Sequence, residues 1–166
     1  MKKVTSLLDF VLTRVLVLLM FCLVASVLWQ VFSRYVLGTP ASWTEEVARF
    51  LLIWISLLGA AYAFRGGMHL ALDLLPSKVT GKNADRLKAL TILMIVLFSG
   101  SVLVVGGFGL VNLTWELKQY SAVLGLPMSY VYSVIPITGI MICLYALASL
   151  GDDSIGKPRE AVTEGE

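Results

Sequence analysis

The four longest apolar stretches of this 166-residue sequence contain no Asp, Glu, Lys or Arg: residues 15–33, 50–64, 89–115 and 119–151. A charge in the middle of a membrane span costs about 2.5–3.5 kcal/mol on insertion scales and ordinarily marks an ion or proton pathway. Its lack argues against a chain that couples solute movement to ions by itself, and against the compact four-helix exporters that depend on an embedded carboxylate. There is one histidine, His69, too few for the paired axial imidazoles of a membrane cytochrome. The two cysteines, Cys22 and Cys143, fall inside apolar runs, where a thiol behaves as a small hydrophobe, so neither a disulfide nor a metal site is expected. No P-loop, nucleophile elbow, HExxH or CxxC motif is present, which leaves enzyme chemistry without a foothold. No cofactor is expected.

What the sequence has is hydrophobicity: 58% hydrophobic and 14% charged residues, with a mean hydropathy of +0.86. A spanning helix needs roughly 20 largely apolar residues for ~30 Å of hydrocarbon. Three runs suffice alone, and the second does once Arg49 and Arg65 extend toward opposite interfaces. Hydrocarbon offers no partner for a free N–H or C=O, and no run alternates polar and apolar residues as a barrel strand does. The fold class expected is an all-α integral membrane protein with spans at about 12–33, 43–65, 88–115 and 129–150. These form one domain, 1–151, followed by a polar tail, 152–166.

Ten of the 13 basic residues fall on the side of the N-terminus: Lys2, Lys3 and Arg14, then Arg65 and the four of the second loop, then Lys157 and Arg159. By the positive-inside rule both termini are expected to be cytoplasmic. The basic residues are spread over membrane-flanking loops and form no single patch, so nucleic acid is set aside. A cleaved signal peptide is not expected, because the first apolar run continues through Val31 and Phe32 with no small-x-small site, and Phe21 before Cys22 spoils a lipoprotein reading.

The connections carry the polar features. Helix two starts near Thr39 or Ser42, the latter forming a capping box with Glu45, and Glu45 pairs with Arg49 four residues on. A second reading makes Arg34, Trp43, Glu45, Glu46 and Arg49 a docking patch at the outer interface. After Arg65 and the Gly66-Gly67 pair, residues 68–75 read as a short interfacial segment, with His69 and Asp73 on one face as a structural anchor. Gly125 and Pro127 delay helix four until about Ser129, and Pro136 predicts a kink or a freed carbonyl within it. Gln30 and Asn112 lie at similar depth and are expected either to meet as an intramembrane polar contact or to snorkel. Ser56, Gly59, Ala60 and Ala63, together with Gly100, Gly106, Gly107 and Gly109, permit close helix approach, expected to be internal.

The ordered set Arg34-Tyr35-Val-Leu-Gly, Trp43-Thr-Glu45-Glu46-Val-Ala-Arg49, Trp54 with Leu58-Gly59-Ala60-Ala61, and Arg65 followed by His69 and Asp73 resembles the small membrane subunit of TRAP transporters, the tripartite ATP-independent periplasmic family. The likeness is strong over residues 30–76 and topological beyond. It implies a bacterial inner-membrane location and sodium-coupled uptake of an organic acid delivered by a periplasmic binding protein, with a large permease subunit moving the substrate and the small subunit braced beside it in the lipid as a scaffold. It also implies that Trp43, Glu45, Glu46 and Arg49 organise the outer end of helix two, facing a partner, while His69 and Asp73 hold the cytoplasmic turn. The alternatives are a free-standing small transporter and the membrane anchor of a redox enzyme.

Overall fold

Four helical spans follow one another in the computed structural model, which describes residues 2–39, 41–65 and 82–149. The first is α1 (Lys2–Tyr35) and the second α2 (Ser42–Arg65). The third is composite: α3 (Lys82–Phe98), a π-helical stretch (Ser99–Gly106) and α4 (Gly107–Glu116). The fourth is α5 (Met128–Tyr132) followed by α6 (Val134–Ser149). Ser6–Tyr35, Ser42–Phe64, Ala89–Glu116 and Met128–Ser149 are each long and apolar enough to cross a bilayer. Even Ser42–Phe64, with 23 residues, reaches about 35 Å at ~1.5 Å per residue. The all-α class follows. The interfacial segment expected at 68–75, with His69 and Asp73, lies outside the described residues.

The spans do not pack in chain order. α1 lies mainly on α2, α2 also packs on α6, and α6 packs in turn on the π-helical stretch and α3. The fourth span is accordingly the most enclosed, with 44% of its most apolar window buried against 11% for the first and third. Leu12, Leu58, Phe64, Ile92, Val134, Tyr145 and Ala146 form the common core. At the end of the bundle nearer the N-terminus, the hydroxyl of fully buried Tyr145 donates to Asp9 Oδ1 at 2.9 Å, tying α6 to α1.

The third span widens where Ser101 Oγ donates back to the Leu97 carbonyl at 2.6 Å and to that of Phe98 at 3.4 Å. A hydroxyl that competes for these carbonyls favours a shift of the backbone ladder by one residue, the local change that makes a π turn. Facing this stretch, α6 approaches so closely that a Cβ on Gly139 would lie 2.7 Å from Leu103 Cβ. One on Gly107 would lie 2.9 Å from Pro136 Cδ. Ser99 Oγ bridges the same contact, donating to the Gly139 carbonyl at 3.1 Å.

The fourth span begins at Met128 and is interrupted at Ser133, three residues before Pro136. Proline has no N–H to give the Tyr132 carbonyl, and its ring crowds that carbonyl. The ladder is carried past the break by Ser133 N–H to Ser129 O at 3.0 Å and by a stretched Ile137 N–H to Ser133 O at 3.4 Å.

Close packing thus falls at Gly107 and Gly139. Gly59, Gly100 and Gly109 would meet nothing within 4 Å if given a Cβ, and Gly106 would approach only the Ser101 carbonyl in its own stretch. Ser56 and Ala60 are exposed, and Ala63 is half-buried. The expectation of internal close packing at Ser56, Gly59, Ala60 and Ala63 is therefore corrected: α2 meets α1 and α6 through other faces.

Candidate functional site

Successive residues on an α-helix point about 100° apart, so Glu45 and Glu46 cannot serve the same surface. Beyond its first two residues, the exposed positions of α2 are Glu45, Arg49, Leu52, Ser56 and Ala60, whereas Glu46 shares its direction with the inward-facing Leu57, Ala61 and Phe64. Glu45 accordingly sits in solvent beside Arg49, with Arg49 Nη2 3.5 Å from Glu45 Oε1 and both side chains about two-thirds exposed. An exposed i,i+4 pair of this kind contributes only about 0.3–0.5 kcal/mol. Glu45 makes no hydrogen bond to Ser42, so the expected capping box is not formed. The first turn is held instead by Thr44, whose N–H and hydroxyl both donate to the Ala41 carbonyl, at 3.1 and 2.6 Å.

Glu46 turns to the connection between α4 and α5. Its Oε1 accepts the Ala122 N–H at 3.0 Å, and its Oε2 accepts the N–H groups of Val123 and Leu124 at 3.1 and 2.8 Å. Three consecutive backbone donors converging on one carboxylate form an anion-binding concavity whose ligand is supplied by the chain itself. The connection is shaped for this. Tyr120 and Pro127 form an antiparallel bridge, Gly125 takes φ +64° and closes the turn, and Ser121 Oγ accepts the Leu126 N–H at 3.2 Å. Reading Glu46 as half of an outward-facing acidic pair is therefore corrected: it is an internal tie between the second span and the third connection.

The α1–α2 corner is fastened alongside. Ser26 Oγ donates to the Thr44 carbonyl at 3.2 Å, Ser33 Oγ donates to the Thr39 carbonyl, and Gly38 at φ +68° permits the turn. Arg34 and Trp43 are exposed at this end. Gln30 is half-buried on α1, Asn112 is exposed on α4, and no hydrogen bond joins them, because α1 packs mainly on α2. Arg65 closes α2, apart from this cluster. A shallow cleft of about 170 Å³ opens beside the connection, lined by Thr114, Trp115, Lys118, Gln119, Tyr120 and Pro127. That is below the roughly 300 Å³ of an ordinary small-molecule pocket. Among the described residues no group of three His, Cys, Asp or Glu side chains is placed to hold a metal.

The Glu46 tie was readable in part, since helical register alone sets Glu46 with the apolar face. Its donors were not, because three adjacent amides acquire a common direction only through the turn they form. The pairing of Asp9 with Tyr145, 136 residues apart, carried no local signal.

Residues 23–154 match the family described as tripartite ATP-independent periplasmic transporters, DctQ component. The chain belongs to this DctQ family. It is 28% identical over 121 residues to a Haemophilus influenzae protein given the name TRAP transporter small permease protein, covering 73% of each chain. It is 30% identical over 88 residues to the sialic acid TRAP transporter small permease protein SiaQ of Vibrio cholerae, covering 53% of this chain and 51% of that one. It is 28% identical over 106 residues to the C4-dicarboxylate TRAP transporter small permease protein DctQ of Rhodobacter capsulatus, covering 64% and 46%. The chain thus spans only about half the length of the latter two. A DctQ component with four apolar helices is a multi-pass inner-membrane transport protein and not an enzyme.

Proposed function

We propose that this chain is the stationary small permease subunit of a TRAP-type secondary transporter, bracing a large permease that moves the solute. The observation that carries the reading is the uncharged interior of all four runs, which leaves cation coupling to another subunit. Support for a large partner comes from a relative, the sialic acid TRAP transporter permease protein SiaT of Haemophilus influenzae. There the matched 116 residues, 25% identical, make up only 18% of the chain. Sialic acid and C4-dicarboxylates, named for the relatives, are both carboxylates, and an organic acid delivered by a periplasmic binding protein with sodium coupling is the corresponding substrate class here. Both termini face the cytoplasm, as the basic residues predict.

The surface offered to the large subunit is the open face of α2. Ser56, Gly59, Ala60 and Ala63 lie along it, small enough for a second backbone to come close. The exposed Glu45–Arg49 pair stands at its outer end, and Trp43 is exposed on another side of the same helical turn. A carrier that moves one part against another needs a fixed part with a firm grip on the bilayer, and α1, exposed along most of its length, supplies such a grip. Affinity purification of the tagged chain from native membranes in mild detergent tests the reading. A large permease recovered in fixed ratio, and lost on Gly59→Leu, supports it; a chain that purifies alone counts against it.

A further inference from the structure

The connection between α4 and α5 has the composition of a buried segment and the position of a surface one. From Ala122 to Pro127 it reads Ala-Val-Leu-Gly-Leu-Pro, with no polar side chain. Val123 and Leu126 are about half exposed, as are the flanking Leu117, Tyr120, Trp115 and Tyr130. Loops that face water ordinarily leave backbone donors to water. Here every N–H from Ser121 to Met128 is taken inside the protein. Ser121 donates to Leu126 O at 2.9 Å, residues 122–124 donate to Glu46, Gly125 donates to Ser121 O at 3.3 Å, Leu126 to Ser121 Oγ, and Met128 to Gln119 O at 2.9 Å, while Pro127 has none to give. Complete donor satisfaction is a requirement of a water-poor layer, where a free N–H is costly.

Register along α2 gives the depth. Glu46 lies four residues before Phe50, the first residue of the uncharged run, so the turn it holds sits within about 6 Å of the hydrocarbon edge at ~1.5 Å per residue. That is the headgroup layer. Trp115 and Tyr130, edge-on with ring centroids 6.3 Å apart, together with Tyr120, are the residue types that settle there, and Lys118 has the charge that pairs with lipid phosphate. The carbonyls of residues 122–125 accept from no group among the described residues, which suits a layer still reached by water and not the hydrocarbon itself.

We propose that residues 117–127 form a membrane-interfacial clip: the apolar tip rests on the acyl boundary of the phospholipid surface, and Glu46 supplies the acceptors that water gives elsewhere. The inference rests on the helices spanning a bilayer and not on the choice of partner, so its failure would leave the proposed function standing.

The test places a nitroxide label at Val123→Cys in the full chain, with Cys22→Ala and Cys143→Ala, in phosphatidylethanolamine–phosphatidylglycerol nanodiscs, alone and with the large permease. Collision of the label with oxygen in excess of collision with a water-soluble nickel chelate supports the clip. Nickel in excess overturns it in favour of a solvated loop, and shielding from both overturns it in favour of a protein partner. In the same labelled protein Glu46→Gln, which puts an NH₂ where an acceptor is needed, is expected to lose the immobilised spectral component and gain nickel collisions; an unchanged spectrum overturns the role of Glu46. Should that variant fail to fold, a label at Leu126→Cys with Glu46 intact repeats the depth measurement with the same two outcomes.

Discussion

Replacing Gly139 with alanine adds one methyl group at the closest approach of the third and fourth spans. The new Cβ would lie 2.7 Å from Leu103 Cβ, 3.0 Å from Val104 Cγ2 and 3.1 Å from the Leu103 carbonyl carbon. Relief to ordinary contact at 3.4 Å needs an opening of roughly 0.7 Å. Two of the three obstacles are a backbone atom and the Cβ next to it, so rotamer changes cannot provide it. α6 must move from the π-helical stretch, and the Ser99 Oγ to Gly139 O bond, already 3.1 Å, stretches with it. Overpacking of this kind costs about 1–3 kcal/mol, a fall of roughly 5- to 150-fold in the folded-to-unfolded ratio. Gly59→Ala is the control: it meets nothing within 4 Å and gains about 1 kcal/mol of helix propensity. Thermal unfolding of the purified chain in detergent, with the exposed Cys22 replaced by alanine and the rise in reactivity of the half-buried Cys143 toward a thiol-reactive dye as the signal, reads both. Gly139→Ala is expected to melt well below the parent and Gly59→Ala at or above it. Equal melting of Gly139→Ala and the parent would refute the close-packing argument.

Three further outcomes follow from the same geometry. Ser99→Ala removes only the hydroxyl bridge to Gly139 and should cost about 0.6 kcal/mol, the average for such bonds in membrane bundles, so its melting shift should be the smaller of the two at this contact. Tyr145→Phe deletes the donor to Asp9 with little change in shape and should destabilise by about 1 kcal/mol in the same unfolding assay; no shift would mean the bond contributes nothing to holding α6 on α1. Charge reversal at the N-terminal end of α2, Glu45→Lys with Arg49 retained, should lower the stability of the isolated chain by only about 1 kcal/mol, through the lost pair and the helix dipole, and lower recovery of the large permease, whereas unchanged recovery would confine the pair to the surface of α2.

How far the sequence can be read depends on the range of the interaction. Spans are legible because hydrocarbon imposes length and apolarity residue by residue, and the break before Pro136 is legible because proline's missing N–H acts four residues away. Glu45 and Glu46 show an intermediate case. Adjacency in the chain suggests one acidic patch, while the 100° step separates them into a solvent pair with Arg49 and an inward tie, a distinction available by aligning Glu46 with Leu57, Ala61 and Phe64. The π-helical stretch had only a local hint in Ser101, since ladder shifts are decided by packing against α6. Gly107 and Gly139 become tight contacts, and Gly59, Gly100 and Gly109 do not, because spans two, four and three pack in that order, which no single helix encodes.

The most direct test of a bracing role is uptake into proteoliposomes carrying this chain alone, the large permease alone, or both, with the cognate binding protein outside and an inward sodium gradient. A bracing role predicts no uptake by this chain alone and full uptake only with both membrane subunits and the binding protein. Gradient-driven uptake by this chain without the large permease would contradict it.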